Sequence, residues 1–147
     1  MTATEAKRIL LVDDDSAGAE LTVAALSEIA LGVEIDITAD GEEALDYLFR
    51  RGGYAGRSDQ LPALILLDLK MPKIDGHEVL RQIRADARLK DLPVIVLTSS
   101  DQELDRRKSE ALGSDGYLVK PVSIDHFIDD LRRLEKFWTI LERDPPR

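Results

Sequence analysis

The sequence predicts an α/β protein in which five βα units wrap around a parallel sheet. Three observations carry that expectation. Short apolar runs alternate with longer amphipathic stretches, three of those runs contain no polar residue, and capping residues stand where the intervening helices should begin. An uninterrupted apolar run is what a strand needs when helices cover both faces of its sheet.

Taken in order, Ile9-Leu10-Leu11-Val12 is the first such run and reads as a central strand. A helix over residues 16–30 follows, with Gly32 suited to a left-handed cap. Val33-Glu34-Ile35-Asp36-Ile37 alternates apolar with acidic residues, which places it at an edge with one face toward water. Asp40 with Glu43 forms a capping box that opens a helix over 41–51. Residues 52–62 are rich in glycine and exceed the usual connection of about 2 to 6 residues, so they read as an insertion with freedom to move. The run from Ala63 to Leu67 is the second central strand, and Asp75 with Glu78 opens a helix over 76–86. Val94-Ile95-Val96-Leu97 is the third central strand. The helix over 101–112 has few apolar residues besides Leu104, Ala111 and Leu112, which predicts a mostly solvated element closed by Gly113. Gly116-Tyr117-Leu118-Val119 is short and suits the other edge.

The last helix is expected to run unbroken over 124–142. Ile124, Leu131 and Trp138 recur every seventh position, as do Phe127, Leu134 and Leu141. Its first half should pack on the sheet. At about 1.5 Å per residue the whole run reaches about 28 Å, which carries Phe137, Trp138 and Leu141 beyond what a five-stranded sheet can cover. Exposed aromatic residues of that kind suggest a dimer interface.

Composition narrows the function classes. The chain has 147 residues, 44% of them hydrophobic and 33% charged, which suits one soluble domain. With no cysteine and only two histidines, His77 and His126, thiolate chemistry and multi-histidine metal sites are excluded. Both histidines are expected on helix surfaces. A net charge of -9 opposes generic binding to nucleic acid or anionic membrane. The N-terminus has no signal-peptide core and no apolar run is long enough to span a bilayer, so a cytoplasmic protein is expected.

In open parallel sheets the chemistry sits beyond the carboxyl ends of the strands. Those positions hold Asp13, Asp14 and Asp15 after the first strand and Asp68 after the third. Thr98, Ser99 and Ser100 follow the fourth strand, and Lys120 with Pro121 follows the fifth. Carboxylates converging this way repel one another unless a cation lies among them, and Mg2+ is the natural guest for an all-oxygen set. Beside a lysine and a hydroxyl, a divalent ion makes an electrostatic clamp for a phosphoryl group in transfer, with Asp68 as the candidate acceptor. The competing reading of the aspartate run is a simple helix-capping cluster.

These motifs together resemble the receiver domain of two-component response regulators. The resemblance rests on Ile9 to Asp15, on Leu66-Leu67-Asp68-Leu69-Lys70-Met71-Pro72 through Asp75-Gly76, on Val96-Leu97-Thr98-Ser99, and on Gly116-Tyr117-Leu118-Val119-Lys120-Pro121. It implies a flavodoxin-like (CheY-like) doubly wound sheet of strand order 2-1-3-4-5 with five helices. A receiver domain would span residues 8–142 between tails at 1–7 and 143–147. The resemblance further implies that Asp68 accepts a phosphoryl group from a sensor histidine kinase, and that Asp13, Asp14, Asp68 and the backbone carbonyl of Lys70 hold Mg2+. Asp15 is not a ligand in this scheme. Lys120 and Thr98 would contact the phosphoryl group, Thr98 and Tyr117 would act as the switch, and the bond before Pro121 would be cis. The chain would be a signalling protein rather than an enzyme, acting on a downstream protein by contact. The insertion and the Phe137-Trp138 pair look like the stand-alone regulators paired with phytochrome-type kinases. That resemblance favours a homodimer through Leu131, Leu134, Phe137, Trp138 and Leu141. A magnesium-dependent phosphotransferase acting on small molecules is the rival, but it would carry its nucleophile on the first strand.

Overall fold

A computed structural model describes residues 7–30, 32–57, 60–98, 103–120 and 123–142. Five parallel strands, β1 (Arg8–Val12), β2 (Glu34–Thr38), β3 (Leu64–Asp68), β4 (Val94–Thr98) and β5 (Gly116–Val119), pair in the order β2-β1-β3-β4-β5. The helices are α1 (Ser16–Ile29), α2 (Gly41–Phe49), α3 (Gly76–Ala85), α4 (Glu103–Ala111), α5 (Ile124–Arg133) and α6 (Glu135–Leu141), with a 3₁₀ turn at Gly52–Tyr54. Successive side chains of a strand point to opposite faces, so each uninterrupted apolar run feeds two cores. Ile9, Leu11, Leu64 and Leu66 are buried on one face with α1, α5 and α6. Leu10, Val12, Ile65 and Leu67 are buried on the other with α2 and α3. The expected fold class and strand order are therefore observed.

Among the described residues the α-helices number six rather than five, because the expected helix over 124–142 breaks at Leu134. No proline or glycine is responsible. The carbonyl of Leu131, which an unbroken helix would pair with the amide of residue 135, instead accepts from the Leu134 amide at 3.1 Å and the Trp138 indole Nε1 at 2.8 Å. The bend folds α6 back, so Leu131, Phe137, Trp138 and Leu141 are buried in this chain's own core and Leu134 packs against it. Phe137 and Trp138 meet edge to face at 4.9 Å. Leu131, Phe137, Trp138 and Leu141, expected as part of an exposed seam, are thus satisfied within one chain, while Leu134 stays half-buried.

The insertion is anchored as well. Tyr54 stacks edge-on against Tyr47 at 5.3 Å and donates its hydroxyl to Glu43 Oε1 at 2.7 Å. The Arg57 guanidinium lies 3.9 Å from the Tyr47 ring centroid and donates to the Tyr47 carbonyl. Two capping details also differ from expectation. Asp40 accepts from the Glu43 amide, but Glu43 answers to the amide of Ala39 rather than to that of the cap residue. Asp75 accepts from the Glu78 amide, whereas the Glu78 carboxylate turns away to Arg81 and Gln82. At the expected edge β2, the acidic face is not simply solvated: Asp36 accepts from Arg8 at 3.0 Å and from the buried phenol of Tyr47. Burial of Tyr47 and its bond to Asp36 push the phenol pKa up to about 12.

Candidate functional site

The carboxyl ends of β1, β3 and β5 bring Asp13, Asp14, Asp68 and Lys120 together. Asp13 follows the last residue of β1 and its amide donates to the Thr38 carbonyl at 3.1 Å, which fixes the strand end against β2. Asp15 caps α1, its Oδ1 accepting from the Ala17 amide at 3.1 Å, while its own amide donates to Asp13 Oδ1 at 2.9 Å. The run of three aspartates is thus divided by geometry: one turns inward, one caps, and Asp14 between them is exposed. Gly18 lets α1 approach this closely, since a Cβ there would lie 3.2 Å from Asp15 Oδ2 and 3.3 Å from Asp13 Oδ2.

Asp68 ends β3 and is buried. Its Oδ1 accepts from the Lys70 amide at 3.1 Å and its Oδ2 from Lys120 Nζ at 3.0 Å. The same ammonium lies 2.9 Å from Asp13 Oδ2. That oxygen is fully buried, and the Lys120 ammonium is its one partner among the described residues. Burial, working against the attraction of Lys120, pushes the Asp68 carboxyl up from 3.8 to about 6. Lys120 is itself held above its ordinary value because the two carboxylates outweigh the burial that opposes its charge.

Carboxylate oxygens of Asp13, Asp14 and Asp68 lie within 4.8 Å of one another. Three converging carboxylates against the single Lys120 ammonium leave excess negative charge in an all-oxygen ligand set, which fits a hard divalent cation. Lys70, expected to offer its carbonyl, borders the same cleft as Asp14. Thr98 is buried at the end of β4, and its carbonyl accepts from the Lys120 amide at 2.6 Å. Tyr117 sits on β5 opposite Val96, half-buried, with the Arg106 guanidinium 5.0 Å from its ring centroid. Ser99, Ser100 and Pro121, with its expected cis bond, lie outside the described residues.

His77 departs from its expected place on a helix surface. It is buried, and its Nε2 stands 3.2 Å from Ser109 Oγ of α4. Burial and nearby Lys108 lower its pKa. The signal was available, because residues 77, 80 and 83 recur on the apolar stripe of α3 with Leu80 and Ile83. His126 is exposed, as expected.

Comparison with known proteins agrees with this geometry. Residues 9–132 match the family described as the response regulator receiver domain. The chain is 41% identical over 138 residues, 93% of its length and 86% of the relative's, to a probable methanogenesis regulatory protein, FilR2, of Methanothrix harundinacea. It is 38% identical over 90% of its length and 88% of the relative's to the response regulator Rcp1 of Synechocystis. A manganese-bound structure of Rcp1 superposes with a TM-score of 0.79, covering 90% of this chain and 94% of that one. The phosphorylated cyanobacterial phytochrome response regulator RcpA gives a TM-score of 0.81 at 39% identity, covering 91% of this chain and 94% of that one. No helix among the described residues is long and apolar enough to cross a membrane.

Proposed function

The chain belongs to the family of response regulator receiver domains, signalling proteins of two-component systems, and from that premise we propose that it receives a phosphoryl group on Asp68 from a sensor histidine kinase. The observation that carries this reading is the bridge of Lys120 Nζ between the buried oxygens Asp68 Oδ2 and Asp13 Oδ2, with the exposed Asp14 carboxylate beside them. One Asp68 oxygen attacks phosphorus, the bond from phosphorus to the kinase imidazole nitrogen breaks, and an acyl phosphate remains. Lys120 faces the incoming equatorial oxygens, and Thr98 is the hydroxyl on the neighbouring strand for a further one. Asp13, Asp14, Asp68 and the Lys70 carbonyl would hold Mg2+. When bound, that ion supplies positive charge that offsets the carboxylates and the phosphoryl oxygens.

Output proceeds through the face made by α4, β5 and α5, where Tyr117 and Arg106 line a cavity of about 320 Å³ with Leu134. A phytochrome-type kinase as donor is supported by the likeness to RcpA. The test is incubation of purified protein with Mg2+ and acetyl phosphate, followed by intact mass. Wild type should gain one phosphoryl group that hydroxylamine removes, and Asp68→Asn should gain none. Equal labelling of the two proteins would refute the assignment.

A further inference from the structure

Helices α3 and α4 meet across a groove that is hollow on both sides of the buried contact between His77 and α4. A cavity of about 470 Å³ opens toward Asp14 and Lys70, and another of about 270 Å³ opens toward Arg81 and Leu112. His77 and Lys108 border both. Between the two cavities His77 Nε2 meets Ser109 Oγ at 3.2 Å. Ser109 Oγ donates to the Asp105 carbonyl at 2.9 Å, so the contact requires His77 to donate through Nε2–H.

Helix α4 buries little apolar surface of its own. Ser109 is the one residue of α4 that is buried, and Leu104 is 76% exposed. By contrast α3 buries Val79, Leu80 and Ile83. Its other ties include polar, more exposed ones, such as Lys70 Nζ to Asp105 Oδ2 at 3.7 Å and Arg106 over Tyr117. A helix fixed by directional polar contacts over cavities can change position with little loss of apolar burial.

The other end of this bond reaches the phosphoacceptor. His77 follows Gly76, whose amide donates to the Leu69 carbonyl at 3.0 Å. Gly76 lies so close to the backbone of Asp68 and Leu69 that a Cβ would overlap the Asp68 carbonyl oxygen and approach Leu69 Cα to 2.7 Å. A displacement of the end of β3 therefore has to be taken up by the first turn of α3, where His77 sits.

We propose that the His77–Ser109 hydrogen bond is a latch that holds α4 in its unphosphorylated position and couples that position to Asp68 through Gly76. This rests on Asp68 being the phosphoacceptor, and it gives the site a route to α4 separate from Thr98 and Tyr117. His77 is a positioning residue in this scheme and takes no part in phosphoryl transfer.

Two measurements test it. The first is amide hydrogen exchange of residues 103–111 without any phosphoryl analogue. Ser109→Ala and His77→Leu should each speed exchange by about 3- to 10-fold, within the coupling that single side chains carry, while β3 and α1 stay unchanged. His77→Gln, whose amide can still donate, should exchange like wild type. Unaltered α4 exchange in both Ser109→Ala and His77→Leu would overturn the latch.

The second is binding of beryllofluoride with Mg2+. A contact made only in the unphosphorylated arrangement opposes the analogue, so both variants should bind it about 3- to 10-fold more tightly than wild type. Equal affinity in all three would overturn the coupling to Asp68. Wild type that binds no beryllofluoride would refute the phosphoacceptor reading instead, and the exchange measurement would still decide the latch.

Discussion

At the amino end of the sheet, Arg84 donates to the carbonyls of Gly113, Lys90 and Leu92 and to Asp115 Oδ2, which in turn accepts from the Val94 amide. Arg88 likewise reaches the Leu48 carbonyl, and Arg57 those of Tyr47 and Gln60. At the carboxyl end the two buried carboxylates of Asp13 and Asp68 share one lysine, and Asp14 adds a third negative charge beside them. Both ends are rich in charge, yet only one is arranged to satisfy it. The amino end joins the loops that precede β3, β4 and β5, and its guanidinium groups match peptide carbonyls with fixed geometry. The carboxyl end keeps polar capacity in reserve, a local cost in stability that a binding site characteristically carries.

The contrast would break most visibly at Arg84. Its side chain is 20% exposed, and Arg84→Ala would strand carbonyls that line the loops before β4 and β5. Stability should fall by about 3 kcal/mol, measured as a shift of the urea midpoint at constant slope. Phosphorylation by acetyl phosphate, per folded molecule, should be unchanged. A variant that unfolds with wild type would mean that the amino end is not where the fold is secured.

An opposite sign is expected at Asp68. Its carboxyl is raised from 3.8 to about 6, so the folded state binds the proton more tightly than the unfolded chain does. Its contribution to stability is therefore complete below about pH 4 and is lost as pH rises through about 6. With a chelator present, Asp68→Asn should be more stable than wild type by about 2 kcal/mol at pH 7.5, and the two should converge near pH 4. Denaturation at four pH values checks this. A wild-type protein more stable than Asp68→Asn at pH 7.5 would show that Lys120 more than offsets the burial.

How much of this was legible beforehand depends on the range over which each residue acts. Runs such as Val94 to Leu97 announce a strand buried on both faces, because that burial is a property of each residue in turn. Asp13, Asp68 and Lys120 were legible because a charge directly after an apolar run has no place in the core and must serve the strand end. The break at Leu134 was not legible: the seven-residue spacing continues through it, and what ends α5 is an indole four residues further on that takes the Leu131 carbonyl. Anchoring of the insertion depends on Tyr47 and Arg57 meeting across a turn, a contact that composition does not encode. His77 could have been placed from its helical spacing, but its partner Ser109 lies 32 residues away.

The smallest expected effect separates two neighbours that the sequence presents alike. Asp14 is exposed at the rim of the acidic cluster, whereas Asp15 spends its carboxylate on the Ala17 amide as the cap of α1. Asp15→Ala should therefore lose about 1 kcal/mol of stability, as removal of a capping side chain does, with or without Mg2+. Asp14→Asn should leave the stability of the metal-free protein nearly unchanged and act on the metal alone. A ligand that binds only the folded state stabilises it by about 1.4 kcal/mol at ten times its dissociation constant. That increment should appear in wild type and in Asp15→Ala when Mg2+ is titrated in, and should be largely lost in Asp14→Asn at the same concentration. Thermal melts of the three proteins across the titration give both quantities at once. Should Asp15→Ala lose the magnesium increment while Asp14→Asn keeps it, the division of labour drawn from the Asp15 cap would be reversed, and the cation would belong nearer to the start of α1.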